Sequence, residues 1–394
     1  MYVLGFQTHR DAFAIDFDRS CLYRRIEEMR SEQVRDDAFR QTYGLHGSAG
    51  RTLADARRRL RQDDAWQEAF IDCLYRPFDW RPSYFSQVAM DRPRREIADH
   101  VAGRHNLSLL VPRQLSTQTW RHVIATREVA ESCVVSTNTR EQNYVFPLYV
   151  FPPSVGPATR QDNFLDRSPW PPSKDGRRPN LDLSFVQEMA ARLGLLFVSD
   201  GEGDLQRTFG PEDVFHYIYA VLHSPTFRTR YADFLKIDFP RVPLTSNLDL
   251  FRALAVKGRE LASLHLFESL ALASPITHYP VPGPNTVDPG HPRYVAPGEP
   301  SPEDGKPVEA SRVYINKSNP KAGVRGQYFE GVPGEVWEFW VGGYQPCQKW
   351  LKDRRSRTLS NEDIQHYEKI VVALQRTIRL MGEIDRAIPS WPLQ

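Results

Sequence analysis

Cysteine is scarce in this sequence and never paired. Cys21, Cys73, Cys133 and Cys347 stand far apart, with no Cys-x-x-Cys, which sets aside zinc and disulfide frameworks and leaves reduced, structural thiols as the expectation. Long apolar runs are missing too. Nothing approaches the roughly eighteen residues of a membrane span, and the N-terminus lacks a charged-then-apolar signal pattern. No membrane partner is expected, and the cytoplasm is the default location. Lysine is the scarce base: nine of the 51 lysines and arginines are lysine, leaving 42 arginines. Arginine suits forked contacts to phosphate and guanine, although a GC-rich genome produces the same bias.

The motifs of common enzyme chemistry are also absent. No Gly-x-x-x-x-Gly-Lys run exists to cradle a nucleotide. No Asn-Pro-Pro-Tyr or Asp-Pro-Pro-Tyr loop exists to hold the amine of a flipped-out base. Pro152-Pro153 and Pro171-Pro172 lack the Asn or Asp before and the aromatic after. Gly201-Glu202-Gly203 lacks the third glycine of a dinucleotide fingerprint. Asp304-Gly305-Lys306 matches half of a nuclease pattern, but it sits in a proline-rich loop and reads as coincidence. His216 and His223 share a helix face, where packed, hydrogen-bonded histidines are the plain reading. No catalytic residue, metal site or cofactor is expected in this chain.

What is present is an ordinary globular composition on a long chain. Its 394 residues are 40% hydrophobic and 25% charged, with a formal net charge of +2, enough for two or three domains with cores. Ile15 to Phe17 reads as strand and Cys21 to Met29 as helix. Arg51 to Phe70 reads as one charged helix anchored by Leu53, Leu60, Trp66 and Phe70. Arg76-Pro77 and Arg81-Pro82 force extended backbone through an aromatic cluster. Arg92, Arg94 and Arg95 open a short helix. Asn106 to Val150 is strand-rich, and Pro152 to Asn180 reads as a linker. Helices are expected over Leu181–Leu196, Pro211–Leu222, Thr226–Leu235 and Asn247–Leu272. Pro275 to Ala310 is loop with one short strand at Tyr294-Val295, and Arg312 to Asn316 is a strand.

The C-terminal stretch organises the rest. Tyr328 to Trp340, broken by Pro333 and Gly334, suits short strands meeting at a turn. A very basic segment follows, with Lys349, Lys352, Arg354, Arg355 and Arg357 opposed only by Asp353. Ser360 then announces a long helix as N-cap, with Glu362 and Asp363 where the helix dipole favours them. Ile364, Tyr367, Ile370, Val371, Leu374, Ile378, Met381 and Ile384 draw one apolar stripe along it. The 247–272 helix is its natural partner.

Three portions carry a resemblance: YFEGVP with WEFWVGGYQPCQKWLKDR, LSNEDIQHYEKIVVAL, and DVFHYIYAVLHSPTFRTRYADFLKIDFPRVPL. Together with Tyr-Arg-Pro-Phe-Asp at Tyr75 to Asp79, they resemble the C-terminal specificity region of type ISP restriction–modification enzymes, over nearly the whole chain. Those enzymes concatenate nuclease, helicase-like ATPase, adenine-specific DNA methyltransferase and target-recognition parts. By resemblance, Met1 enters where the catalytic part would have ended. The resemblance implies an α+β fold: a mixed N-terminal lobe (1–150), a linker (151–180), a helical part with a spacer-like helix (181–274), a loop- and strand-rich recognition insert (275–358) and the C-terminal helix (359–394). It implies double-stranded DNA as ligand and a methyltransferase, helicase or nuclease polypeptide as partner, with S-adenosylmethionine and ATP/Mg held there. Candidate DNA contacts are Arg92, Arg94 and Arg95; Arg113 and Gln114; Lys317, Lys321 and Arg325; Gln327 and Tyr328; and Lys349, Lys352, Arg354 and Arg355, joining phosphate-positioning cations to base-reading and stacking groups. Two other readings stand beside this one: an adenine-specific DNA methyltransferase by kinship, and a scaffold that binds only protein.

Overall fold

The computed structural model describes residues 1–45, 52–117, 119–152, 169–319 and 325–393. The fold is α+β, and the chain divides into two compact units. One comprises Met1–Val111 with Thr126–Asn180, the other Pro112–Ala125 with Leu181–Gln394. Pro112–Ala125, read in the sequence as part of the N-terminal lobe, thus belongs to the second unit.

The first unit opens with β1 (Val3–Leu4), α1 (Asp11–Ala14), α2 (Arg19–Arg30), α3 (Asp36–Tyr43) and α4 (Leu53–Gln62). The Asp18 carboxylate caps α2 by accepting from the Ser20 and Cys21 amides, and Leu22, Ile26 and Met29 fall on its buried face. Thr52 caps α4 at the Asp55 amide. The expected helix to Phe70 stops at Gln62. There Asp63 accepts from the Ala65 amide at 3.0 Å, a local side-chain bond that competes with helix continuation. Arg57, 2% exposed, donates to the carbonyls of Met29 at 2.9 Å and Val34 at 2.7 Å. A cation there also favours the negative end of α2.

The strands β2 (Phe70–Arg76) and β3 (Asp79–Tyr84) form an antiparallel hairpin, with β6 (Val129–Ala130) parallel to β2. Between them in sequence lie α5 (Arg95–Val101), β4 (Ser108–Pro112) and β5 (Ile124–Thr126); β7 (Asn143–Pro147), β8 (Tyr149–Val150) and β9 (Arg178–Pro179) follow. The Tyr75–Asp79 motif is the hairpin turn, and its arginines face inward. Arg76 meets Glu131 at 2.7 Å with both side chains buried, and Arg81 pairs with Asp79. The Tyr75 ring has both guanidiniums within reach, at 3.9 and 4.1 Å, and its hydroxyl donates to Asp11 at 2.9 Å. The aromatic cluster is therefore a cation–π network that closes the turn.

The second unit holds α6 (Leu183–Leu193), β10 (Leu196–Phe197), β11 (Thr208–Phe209), α7 (Pro211–His223), α8 (Pro225–Arg230), α9 (Ala232–Ile237) and α10 (Leu248–His265). It continues with β12 (Arg293–Val295), β13 (Arg312–Tyr314), β14 (Tyr328–Glu330), α11 (Gly334–Trp337), α12 (Pro346–Asp353) and α13 (Asn361–Ala387). The last of these is the expected long helix, with Ser360 and Asp363 closing a capping box. The expected Thr226–Leu235 helix is two, broken at Tyr231. The expected second strand after Pro333 is one helical turn instead, burying Val336 and Trp337.

At the centre of this unit α7 is buried on nearly every side. It packs on α10 at Gly258, where an added Cβ would lie 1.8 Å from the His216 carbonyl oxygen. A hydrogen-bonded chain crosses the core. The Ala125 amide donates to the Tyr219 hydroxyl at 3.1 Å, which meets His265 Nδ1, and His265 Nε2 meets Thr377 Oγ1 at 2.8 Å. Thr377 gives its own proton to the Ala373 carbonyl, so it accepts from His265 Nε2–H, and Nδ1 accepts from Tyr219. Only the neutral imidazole fits that pattern. Burial, then the nearby Arg228, lowers the His265 pKa to about 3. His223, bonded to the Tyr219 carbonyl, is also pushed far down by burial.

Two consequences are measurable. Glu131→Ala leaves the Arg76 guanidinium buried without its carboxylate and is expected to lower the unfolding free energy by about 3–5 kcal/mol, read from urea titrations. A loss near the ~0.5 kcal/mol of an exposed pair would contradict this. His265 and His223 have folded pKa values below their unfolded ones, so the unfolded chain binds more protons at mildly acid pH and stability falls as pH drops below the ordinary imidazole range. His265 is expected to contribute a loss of about 2 kcal/mol between pH 7 and 5, with His223 acting in the same direction. His265→Gln should flatten the pH slope by about that amount, and an unchanged slope would show that the imidazole is not held neutral.

Candidate nucleic-acid interface

The 275–358 segment, expected from the sequence as a recognition insert, is built on the antiparallel sheet β12-β13-β14, with Arg293 opposite Tyr314 and Tyr314 opposite Tyr328. Val281, Val295, Val308, Tyr314 and Tyr328 form its core. Two further chain segments run beside this sheet. The Asn285–Val287 stretch pairs with the segment after α12, through Ser356 N to Val287 O at 2.7 Å, Val287 N to Arg357 O at 2.9 Å and Leu359 N to Asn285 O at 2.9 Å. The 288–291 turn is pinned to the end of β13 by Asp288 N to Ile315 O at 2.9 Å and by Lys317 N to the Asp288 carboxylate at 2.8 Å.

These bonds gather cations from three distant stretches of sequence. Arg355 donates Nε to the His291 carbonyl at 2.6 Å, Lys317 leaves the end of β13, and Arg293 starts β12. All three are exposed and surround the buried His291. Burial holds that imidazole's pKa below its ordinary value; Asp288 opposes the shift, and Lys317, Arg293 and Arg355 add to it. Among the described residues neither Arg293 nor Lys317 has an ion-pair partner. Such a cluster can position an anion and carries no group arranged for bond making.

Residues 1–383 match the Type ISP C-terminal specificity domain. The chain belongs to that family. Three solved structures share the fold along the chain's whole length. They are a nuclease-deletion mutant of the Type ISP restriction–modification enzyme LlaGI with a DNA substrate mimic (17% identity, TM-score 0.61, 28% of that chain), DrdV in a DNA complex (19%, 0.60, 36%), and the ATP-dependent Type ISP enzyme LlaBIII bound to DNA (15%, 0.65, 23%). The chain thus spans between 23% and 36% of the chains it resembles. No curated protein sequence matches it.

In this specificity domain the candidate contacts fall into distinct settings. Gln327 is 1% exposed. Its Oε1 accepts from Asn285 N at 2.8 Å and Asn316 Nδ2 at 2.9 Å, and its Nε2 donates to Val281 O at 3.1 Å and Asn285 Oδ1 at 2.7 Å. Every donor and acceptor of the amide is filled. Tyr328 is a core residue with the Arg312 guanidinium 4.4 Å from its ring. Arg354 is buried, 3.5 Å above the Trp350 ring and 3.6 Å from Asp363. In this conformation those three, expected from the sequence as DNA contacts, are packed inside the segment rather than presented at its surface.

The remaining cations are at the surface or partly so. Arg325 is exposed, 3.9 Å from Glu303, Lys349 pairs with Asp353, and Lys352 bonds Gln348 at 3.0 Å. Lys321 lies outside the described residues. Arg113 is exposed and paired with Asp238 at 3.1 Å, beside exposed Gln114, in the Pro112–Ala125 segment. Arg92 and Arg95 are exposed and Arg94 is half-buried, 3.7 Å from Glu96, all in the first unit. Arg293 escaped the sequence reading because it stands alone in a proline-rich stretch. Its one signal is its position at the head of the RYV strand. Asp304 and Lys306 form only a 4.0 Å surface pair, and among the described residues no cluster of three or more His, Cys, Asp or Glu could hold a metal ion. No helix of the described residues is long and apolar enough to cross a membrane.

Gln327→Leu strands several buried polar groups and is expected to lower stability by at least about 2 kcal/mol, read by urea unfolding. Lys352→Ala is expected to stay within about 0.5 kcal/mol. The reverse ranking would show that Gln327 is free to face a ligand.

Proposed function

We propose that this chain is the DNA target-recognition part of a type ISP-like restriction–modification system. It binds duplex DNA, and methyl transfer, ATP hydrolysis and cleavage are performed by a partner polypeptide that holds S-adenosylmethionine and ATP/Mg. The observation that carries the reading is the family match over residues 1–383. Two further findings support it: solved proteins of this fold were captured with DNA, and separate sequence stretches deliver unpaired cations to one place on the insert. Docking of the partner is supported by exposed Phe234 and Ile237, which border a largely apolar cleft of about 450 Å³ beside α8 and α9.

The mechanism is binding alone. Arginines and lysines fix register on the phosphates, and side chains reaching the grooves select the site. Binding measured by fluorescence anisotropy on a random duplex library should weaken steeply with salt, with a log–log slope of about −0.9 for each phosphate neutralised. A tritium-transfer assay with purified chain and S-adenosylmethionine should give no DNA methylation until a methyltransferase polypeptide is added. Salt-independent binding, or methylation by the chain alone, would overturn the reading.

A further inference from the structure

We propose that Arg293, Lys317 and Arg355 form a seat for a single backbone phosphate of duplex DNA, assembled over the buried His291. The assignment rests on the DNA-binding reading above and specifies where that binding takes hold.

The case is one of convergence. Arg293 comes from the first strand of the insert, Lys317 from beyond the second, and Arg355 from the segment after α12, 62 positions further on than Arg293. Lys317 and Arg355 are hydrogen-bonded to the same turn, and Arg293 follows it directly in the chain. The Asp288 carboxylate accepts from the Lys317 amide at 2.8 Å, the His291 amide bonds the Asp288 carbonyl at 3.0 Å, and Arg355 Nε is fixed on the His291 carbonyl at 2.6 Å. That last contact uses one donor of the guanidinium and holds the stem, leaving the terminal nitrogens to bind elsewhere. The turn is packed against the protein at its end: His291 is 7% exposed.

Three like charges around one buried ring repel one another, and an anion removes that repulsion. The carboxylate facing the ring, Asp288, is already engaged with the Lys317 backbone amide. A phosphodiester oxygen pair matches an arginine fork flanked by point-charge donors. A guanine edge also offers two acceptors to an arginine fork, but it is neutral, and three converging cations are matched by the full negative charge of a phosphodiester. The seat is therefore indifferent to sequence and sets register on the backbone.

Anisotropy titrations between about 50 and 200 mM salt test this. Arg293→Ala and Lys317→Ala alter exposed side chains with no ion-pair partner among the described residues, and Arg355→Lys keeps the charge while removing the fork. The expected result is a weaker affinity for every duplex sequence alike, with unfolding midpoints unchanged. One shared phosphate also means that the triple alanine variant loses about 0.9 of salt slope in total, not the ~2.7 of three separate contacts. A duplex with a single neutral methylphosphonate, stepped along the backbone, should reveal one linkage whose neutralisation weakens the wild type but not the triple variant. Unchanged slopes in all variants, or an additive loss near ~2.7, would overturn the seat while leaving DNA binding intact. Inorganic phosphate that stabilises the wild type and not the triple variant, with DNA slopes unaffected, would assign the seat to free phosphate and overturn it too. Failure of the wild type to bind any duplex at low salt would remove the functional reading along with the seat.

Discussion

The side-chain amide of Gln327 ties together everything that positions the interface. It bonds the 281–285 loop on one side and Asn316 on the other, and Asn316 returns the contact by accepting from the Gln327 amide at 2.7 Å. Asn316 Nδ2 also reaches the Thr286 carbonyl at 3.1 Å. Two neighbouring strand ends and an irregular loop are thus locked by side chains, where no ladder of backbone bonds could do it. The loop is then in place to pair with residues 355–359. A buried amide left half satisfied costs roughly 1–3 kcal/mol per group, so the arrangement is close to all-or-none. Lys317 and Arg355 share a frame held by this amide together with the backbone bonds of residues 285–288.

The sheet is in turn mounted on α13. Phe329 of β14 lies 4.3 Å from the Tyr367 ring, and Trp350 of α12 stacks on His366 at 5.4 Å and 14°. Arg354 also lies over the Trp350 ring and reaches Asp363 in the first turn of α13. Further along, Thr377 receives the His265 bond, Glu383 meets Lys257 of α10 at 2.8 Å, and Asp385 accepts from the Thr226 amide at the start of α8 at 3.1 Å. One helix, about 40 Å long at 1.5 Å per residue, carries the load from the helical core to the insert. Groups that must meet a phosphate within a few tenths of an ångström need such support.

Helices were legible wherever their signals were local. Ser360 with Asp363, Asp182 before α6 and Asn247 before α10 are caps written in adjacent residues, and the apolar stripe of α13 has the right period. Strands were legible in part: those at Tyr294-Val295 and from Arg312 formed, whereas Ile15 to Phe17 holds only a single bridge at Ile15 and the stretch after Pro333 is helical. Misreadings came from contacts distant in sequence. Nothing near Gln327 announces that Val281, Asn285 and Asn316 will surround it, so a polar residue beside a tyrosine read as a reader of bases. Arg293 was invisible for the same reason, since its partners in charge lie 24 and 62 positions away. The turn at Asp63 shows the opposite case, a local bond overriding a helical pattern.

The abundance of arginine is the other lesson, and it limits what composition can say about nucleic acid. Arg57 holds carbonyls at a helix end, Arg76 and Arg81 face buried carboxylates around Tyr75, and Arg354 caps a tryptophan. Each is a guanidinium whose planar fork is filled from within the protein. A net charge of +2 over 394 residues gives no long-range attraction to a polyanion worth naming. Attraction has to be local, and it arises where cations are exposed, tethered to a common turn and short of carboxylates. Arg293, Lys317 and Arg355 meet all three conditions, which an arginine count cannot detect and the pattern of hydrogen bonds can.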